Sequence, residues 1–126
     1  MNALDRLADE KYVLLTTFRK DGRAVATPVW AARDGDALAV WTVADSGKVK
    51  RIRRSGRVTV APCDFKGNTH GDAAAGRATL TDSATAQRIR TTIARKYGLI
   101  GRITMLGSRI RRGRDGTVGI RIAFAD

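Results

Sequence analysis

Cysteine and histidine are almost missing from this sequence: Cys63 and His70 stand alone among 126 residues. An internal disulfide is therefore excluded, and a cysteine- or histidine-based metal site is improbable. The same scarcity leaves no Ser/His/Asp set, and no pair of carboxylates falls in a cleft-like pattern. Aromatic residues make up only 6% of the chain, and none is interleaved with the basic residues at 48–57. A nucleic-acid-binding barrel, which stacks bases on aromatics within a basic face, is disfavoured on that ground. No apolar run approaches the length of a membrane span, and Met1 to Lys11 lacks the apolar centre of a signal peptide. The expectation is a cytoplasmic protein with no membrane partner. Acidic residues are also few, 12 against 24 lysines and arginines, for a net charge of +12.

What is present is a single-domain amount of chain, residues 1–126, with 43% hydrophobic residues in regular alternation. Only six of the basic residues are lysine, and the charge clusters at 48–57 and 102–114. A surface of this kind attracts polyanions, although arginine-rich composition also follows from codon bias in a high-GC genome.

Tyr12 to Phe18 reads as a strand, closed by the glycine-containing turn Arg19-Lys20-Asp21-Gly22-Arg23. Ala24 to Ala32 reads as its hairpin partner and carries Pro28, which fits an edge strand or a bulge better than a ladder-bonded centre. Arg33-Asp34-Gly35-Asp36 makes a second hairpin turn into Ala37 to Val43, so three successive antiparallel strands are expected. A short basic helix from Ser46 to Ser55 follows, then strands at Arg57 to Cys63 and Ala73 to Thr81, separated by a polar loop from Asp64 to Asp72. Asp82 or Ser83 caps a helix whose Ala86, Ile89, Ile93 and Tyr97 share one face until Gly98 ends it. Leu99, Ile103, Leu106 and Ile110 continue at helical spacing, a basic turn spans Arg109 to Gly116, and Thr117 to Phe124 is the last strand. About six strands joined by tight turns, with helices as insertions, predict a mainly β, antiparallel barrel with minor α content.

Around Ser46 to Arg54 there is neither a Walker loop nor a Gly-x-Gly-x-x-Gly turn. The Ser46 hydroxyl, the Lys48 ammonium and the first helical N–H groups can still converge on one phosphate, with Gly47 between them and Lys50 and Arg51 nearby. The plainer alternative is a solvated basic helix with Val49 and Ile52 packed inward. Pro28 and Pro62 each remove an N–H near a strand end, leaving gaps where a planar ring could lie against Thr27, Val29 and Ala61. An ordinary edge strand is again the alternative. Trp30 and Trp41 read as core or interface residues, Cys63 as a small buried hydrophobe and His70 as an exposed, inert side chain. Without a catalytic set of its own, an enzyme of this sequence needs a cofactor to carry the reaction.

These segments together resemble the split β-barrel flavin and deazaflavin oxidoreductases related to pyridoxamine 5′-phosphate oxidase, and more narrowly the actinobacterial members that use coenzyme F420. The resemblance rests on Leu-Leu-Thr-Thr-Phe-Arg-Lys-Asp-Gly-Arg, Ala-Thr-Pro-Val-Trp, Trp-Thr-Val-Ala-Asp-Ser-Gly-Lys-Val-Lys-Arg-Ile-Arg-Arg, and Arg-Val-Thr-Val-Ala-Pro-Cys-Asp. Ala-Arg-Lys-Tyr-Gly and the closing Gly-Ile-Arg-Ile add to it. It implies a six-stranded antiparallel split barrel with the FMN-binding fold, acting as a homodimer with cofactor in the groove between subunits. No separate catalytic residue is implied. By the same resemblance Ser46, Gly47 and Lys48 hold the cofactor phosphate, supported by Lys50 and Arg51. Many relatives place an arginine where this chain has Ser46. Ala26, Thr27, Pro28 and Val29 match the strand along which the tricyclic ring lies, with Thr42 and Ala61, Pro62 and Cys63 near it. Lys96, Tyr97 and Arg102 would approach the partner's cofactor. The implied reaction is hydride transfer between reduced F420 and a small electrophilic substrate, and the basic 102–114 segment would meet the oligoglutamate tail of F420. FMN as the cofactor, or a non-catalytic F420 carrier, are the readings left beside it.

Overall fold

Gly22 and Gly35 punctuate the N-terminal half, each with positive φ, 91° and 63°, where a residue with a Cβ is strained. They close two hairpins. The computed structural model describes the backbone of residues 2–112 and 116–125, and the side chains of 2–98 and 116–125. In the first hairpin β1 (Tyr12–Phe18) pairs with β2 (Ala24–Val29), and in the second β3 (Ala32–Asp34) pairs with β4 (Ala37–Val43). Helix α1 (Ala3–Ala8) precedes them, and α2 (Gly47–Arg54) follows. Strands β5 (Arg57–Cys63) and β6 (Ala74–Leu80), helix α3 (Ser83–Arg112) and β7 (Thr117–Phe124) complete the order.

All seven strands form one antiparallel sheet in the order β2-β1-β5-β6-β7-β4-β3. The last strand in the chain, β7, therefore sits inside the sheet, between β6 and β4. This corrects the sequence reading in one respect. Ala24 to Ala32 is two strands, not one: the chain leaves β1's flank at Val29 and enters β4's flank at Ala32. The expected run of three consecutively paired strands is thus broken at Trp30 and Ala31, and seven strands replace six.

That break explains the curl of the sheet. β2 and β3 are its two edges, and flat strands spaced by about 4.8 Å would hold them about 29 Å apart. Three chain steps from Val29 to Ala32 span at most about 11 Å. The sheet must bend until its edges nearly meet, a half-barrel joined at the seam by covalent chain. Pro28 lies in the edge strand β2, where a missing N–H costs no ladder bond on the outer side.

Alternation places Val13, Leu15, Leu38, Val40, Val58, Val60, Ile120 and Ile122 inside the barrel, with Leu4 and Leu7 of α1 and Ile52 of α2 in the same cluster. On the outside, Ala32 and Ala39 are covered by Ile89 and Ile93 of α3, with Trp30, Trp41 and Tyr97 at the margin. Coverage of both faces accounts for the unbroken burial of Ala37 to Val40. Asp82 caps α3, accepting from the Thr85 N–H at 2.8 Å, and the helix is interrupted where expected, at Gly98, with φ 70° and ψ −150°. The side chains of Leu99 to Ile110, and the basic segment at 102–114 with Arg102, lie outside the described side chains. Among the described residues no helix is long and apolar enough to cross a membrane.

Candidate functional site: a cationic cleft at the start of α2

Helix α2 begins at an extended Ser46, whose Oγ accepts from the Val49 N–H at 3.4 Å. The first N–H of the helix to bond to a backbone carbonyl is that of Lys50, to Ser46 O at 3.2 Å. The Gly47 and Lys48 amides precede it, at the positive end of the helix dipole. Val49 and Ile52 turn inward and are buried, as the plainer sequence reading had it. On the adjoining face, Lys48 and Arg51 are three residues apart and point the same way. Lys48 Nζ donates to Thr42 Oγ1 on β4 at 3.3 Å, while Arg51 Nε donates to Thr17 Oγ1 on β1 at 2.5 Å. Three strands separate β1 from β4 in the sheet, so the curl is what lets one helix face bridge both. Burial holds the Lys48 ammonium below its ordinary pKa of 10.5, and the charge of Arg51 adds to this. Arg51 is lowered as well, by burial and then by the charge of Arg19.

Gly47 has a specific reason to be glycine. A Cβ there would stand 2.7 Å from Arg51 Nη1, so the absence of a side chain lets the guanidinium fold back over the helix start. Beside it opens a cleft of about 530 Å³. From α2 it is lined by Gly47, Lys50 and Arg51, and from the β1–β2 turn by Arg19, Lys20, Asp21 and Arg23. Asp21 is engaged by Arg23, Oδ2 to Nε at 2.8 Å. Among the described residues no carboxylate pairs with Arg19, Lys20, Lys50 or Arg51.

Of the residues expected at a cofactor site, Gly47, Lys50 and Arg51 line this cleft, and Ser46, Lys48 and Thr42 gather beside it at the same helix start. Ala26, Thr27, Pro28 and Val29 lie on the edge strand leading away from it: Ala26 pairs with Thr16 and Val29 with Val13. Thr27 and Val29 share the inner face with Leu15 and Val13, and Ala26 and Pro28 the outer face. Ala61, Pro62 and Cys63 are on β5: Ala61 and Pro62 pair with Leu14 and Val13, the same β1 residues that Pro28 and Val29 pair with, so they stand level with that stretch of β2. They flank β1 on the side opposite β2, about 10–17 Å along the strand from Thr17 at 3.3 Å per residue. All three are buried. A Cβ on Gly71 would meet Pro62 Cγ at 2.7 Å, so the 64–72 loop packs closely over that proline. Burial pushes the Cys63 thiol up, consistent with a small hydrophobe. His70 is exposed, with Nε2 3.6 Å from Glu10 Oε2.

Lys96 and Tyr97 are engaged within their own chain. Lys96 Nζ donates to the carbonyls of Ala8, Glu10 and Ala31 at 2.9, 2.6 and 2.6 Å. Tyr97 Oη donates to Lys11 O at 2.6 Å and accepts from the Ala31 N–H at 3.1 Å, and its ring stacks on Trp30 at 4.4 Å. Within the chain these two side chains serve at the seam between β2 and β3. Sequence reasoning missed the contribution of Arg19, Lys20 and Arg23, which it treated only as turn residues. Three cations around a single acid in a five-residue turn were the available signal.

A half-barrel of antiparallel strands, with a cation-lined helix start set against its first hairpin, defines a split-barrel domain with a cationic cleft at that hairpin. The family description pyridoxamine 5′-phosphate oxidase matches residues 2–125, and the chain belongs to that family, one of flavin- and deazaflavin-binding oxidoreductases. Among solved structures, a conserved hypothetical protein of Mycobacterium tuberculosis is 20% identical, with a TM-score of 0.74 over 100% of this chain and 82% of that one. A protein described as an F420 reductase is 16% identical, with a TM-score of 0.62 over 100% and 96%. A FAD-binding protein of Mesorhizobium loti is 18% identical, with a TM-score of 0.59 over 100% and 90%. At these identities the likeness is one of fold. No curated protein matches the sequence.

Proposed function

We propose that this chain is an oxidoreductase that binds coenzyme F420, with the cofactor's phosphate held at the start of α2, and transfers a hydride to or from a small electrophilic substrate. The observation that carries this reading is the convergence of Ser46, Gly47, Lys48 and Arg51 on one helix start, with two of the cations braced by threonines of β1 and β4. Gly47 contributes the bare backbone against which Arg51 folds. Edge strand β2 leads from this point to Pro28, about 10 Å along the strand. A ring joined to a phosphate by a short chain spans such a distance, which fits Ala26 to Val29 as the ring's bed. F420, when bound, supplies the transferable hydride at C5 of its deazaflavin ring. The chain's own part is to bind, orient and exclude water. Lys48 and Arg51 neutralise the phosphate, the Ser46 hydroxyl has its proton free to donate, and β2 presents backbone groups along its unpaired side. We take the working form to be a cytoplasmic homodimer whose second subunit closes over β2.

Titration of the purified protein with F420 and with FMN tests the reading. Micromolar F420 binding, weakened at least about tenfold in Lys48→Ala, is the expected result. A preference for FMN would move the assignment to a flavin enzyme of the same fold, and F420 binding without turnover of any acceptor would make it a carrier. Light scattering tests the dimer separately.

A further inference from the structure

The cleft holds more positive charge than one phosphate needs. A phosphate monoester carries about two negative charges at neutral pH, and a diester only one. At the helix start Arg51, which lines the cleft, and Lys48, which stands beside it, already match the monoester. Arg19, Lys20 and Lys50 surround the rest of the cleft with no carboxylate partner among the described residues, and the one acid present, Asp21, is taken by Arg23. These cations crowd one another, since the charge of Arg19 is felt at Arg51 and that of Arg51 at Lys48. Such a row is relieved by a ligand with a second anionic group placed toward the β1–β2 turn.

We infer that the turn residues Arg19 and Lys20, together with Lys50, form a second anion subsite, so that the ligand of this cleft carries two anionic groups: a phosphate at the start of α2 and a further phosphate or carboxylate against the hairpin. The inference rests on the proposed phosphate anchor and extends it to the ligand's class. A small molecule suits the cleft better than a nucleic-acid backbone, because the lining contains no aromatic side chain on which a base could stack.

The test measures binding of inorganic phosphate, pyrophosphate and phosphoglycolate by calorimetry at fixed ionic strength. Pyrophosphate or phosphoglycolate should bind at least about tenfold tighter than phosphate. In the double variant Arg19→Gln/Lys20→Gln that advantage should fall below about threefold, with phosphate affinity changed by less than about twofold. Arg53→Gln/Arg77→Gln, which removes the same charge from exposed positions outside the cleft, should leave the advantage in place. An advantage that survives in the first variant, or is lost equally in both, overturns the inference. So does single-stranded DNA displacing pyrophosphate at comparable phosphate concentration. If F420 and FMN both fail to bind while the two-anion preference depends on Arg19 and Lys20, the cofactor reading falls and this subsite stands. If a cofactor binds but the preference does not depend on them, the subsite falls alone.

Discussion

A methyl group at position 47 would collide with the free end of Arg51, not with the backbone, so the fold can absorb it while the site cannot. Gly47→Ala should therefore keep or slightly raise thermal stability, since alanine favours a helix by up to about 1 kcal/mol over glycine. Phosphate or cofactor affinity should drop about tenfold as the guanidinium is displaced, measured by titration beside a melting curve. Lys48 gives a second expectation. Its pKa lies below 10.5 in the free protein because burial disfavours the ammonium, and a bound anion favours it. Anion affinity should fall as pH rises through that lowered value, and binding at alkaline pH should take up protons; Lys48→Met should remove both effects. The gathering of Ser46, Lys48 and Lys50 at one helix start was legible because a helix start and its cap are local in sequence. Thr17 and the Arg19–Arg23 turn were not, because only the curl of the sheet brings them to α2.

Among the elements, α3 is fastened to the barrel by a carboxylate. Asp34, at the end of β3, receives Arg88 Nε and Nη2 at 3.0 and 2.9 Å and Arg121 Nε at 2.9 Å, with its side chain only 10% exposed. The hydrogen bonds from Arg88 lead in lowering its pKa. Asp34→Asn should cost about 2 kcal/mol at neutral pH, read from urea unfolding. With the folded pKa below the unfolded one of about 3.9, this contribution is complete above that value and is lost as pH falls through the folded pKa. The gap between wild type and variant should accordingly close below about pH 4. Both hairpins, β5, β7 and the break of α3 at Gly98 were readable, each from turn or capping chemistry within a few residues. Helix α1 was missed although Asn2 caps it, its Oδ1 accepting from Asp5 N–H, and Leu4 and Leu7 recur on one face. Six residues are too few for periodicity to announce a helix, and what stabilises α1 is burial against distant strands.

For the whole molecule, the seam between β2 and β3 is held by Lys96, whose ammonium gathers carbonyls from the end of α1 and from Ala31. Lys96→Met keeps the aliphatic stem but leaves those oxygens without their donor, and should cost about 2 kcal/mol. Hydrogen exchange should quicken first at β2, β3 and α1, and an unchanged pattern there would contradict the lysine's role at the seam. The seam was illegible because Trp30 and Ala31 look like the tail of a strand, and only pairing across the chain separates β2 from β3. The place of β7 carries a different consequence. Before residues 117–124 are synthesised, the chain consists of a four-stranded sheet ending at β6 and a separate hairpin ending at β4, each with a bare edge. Such edges invite pairing with other nascent chains, so the interval before the final strand inserts is when this protein is most exposed to aggregation.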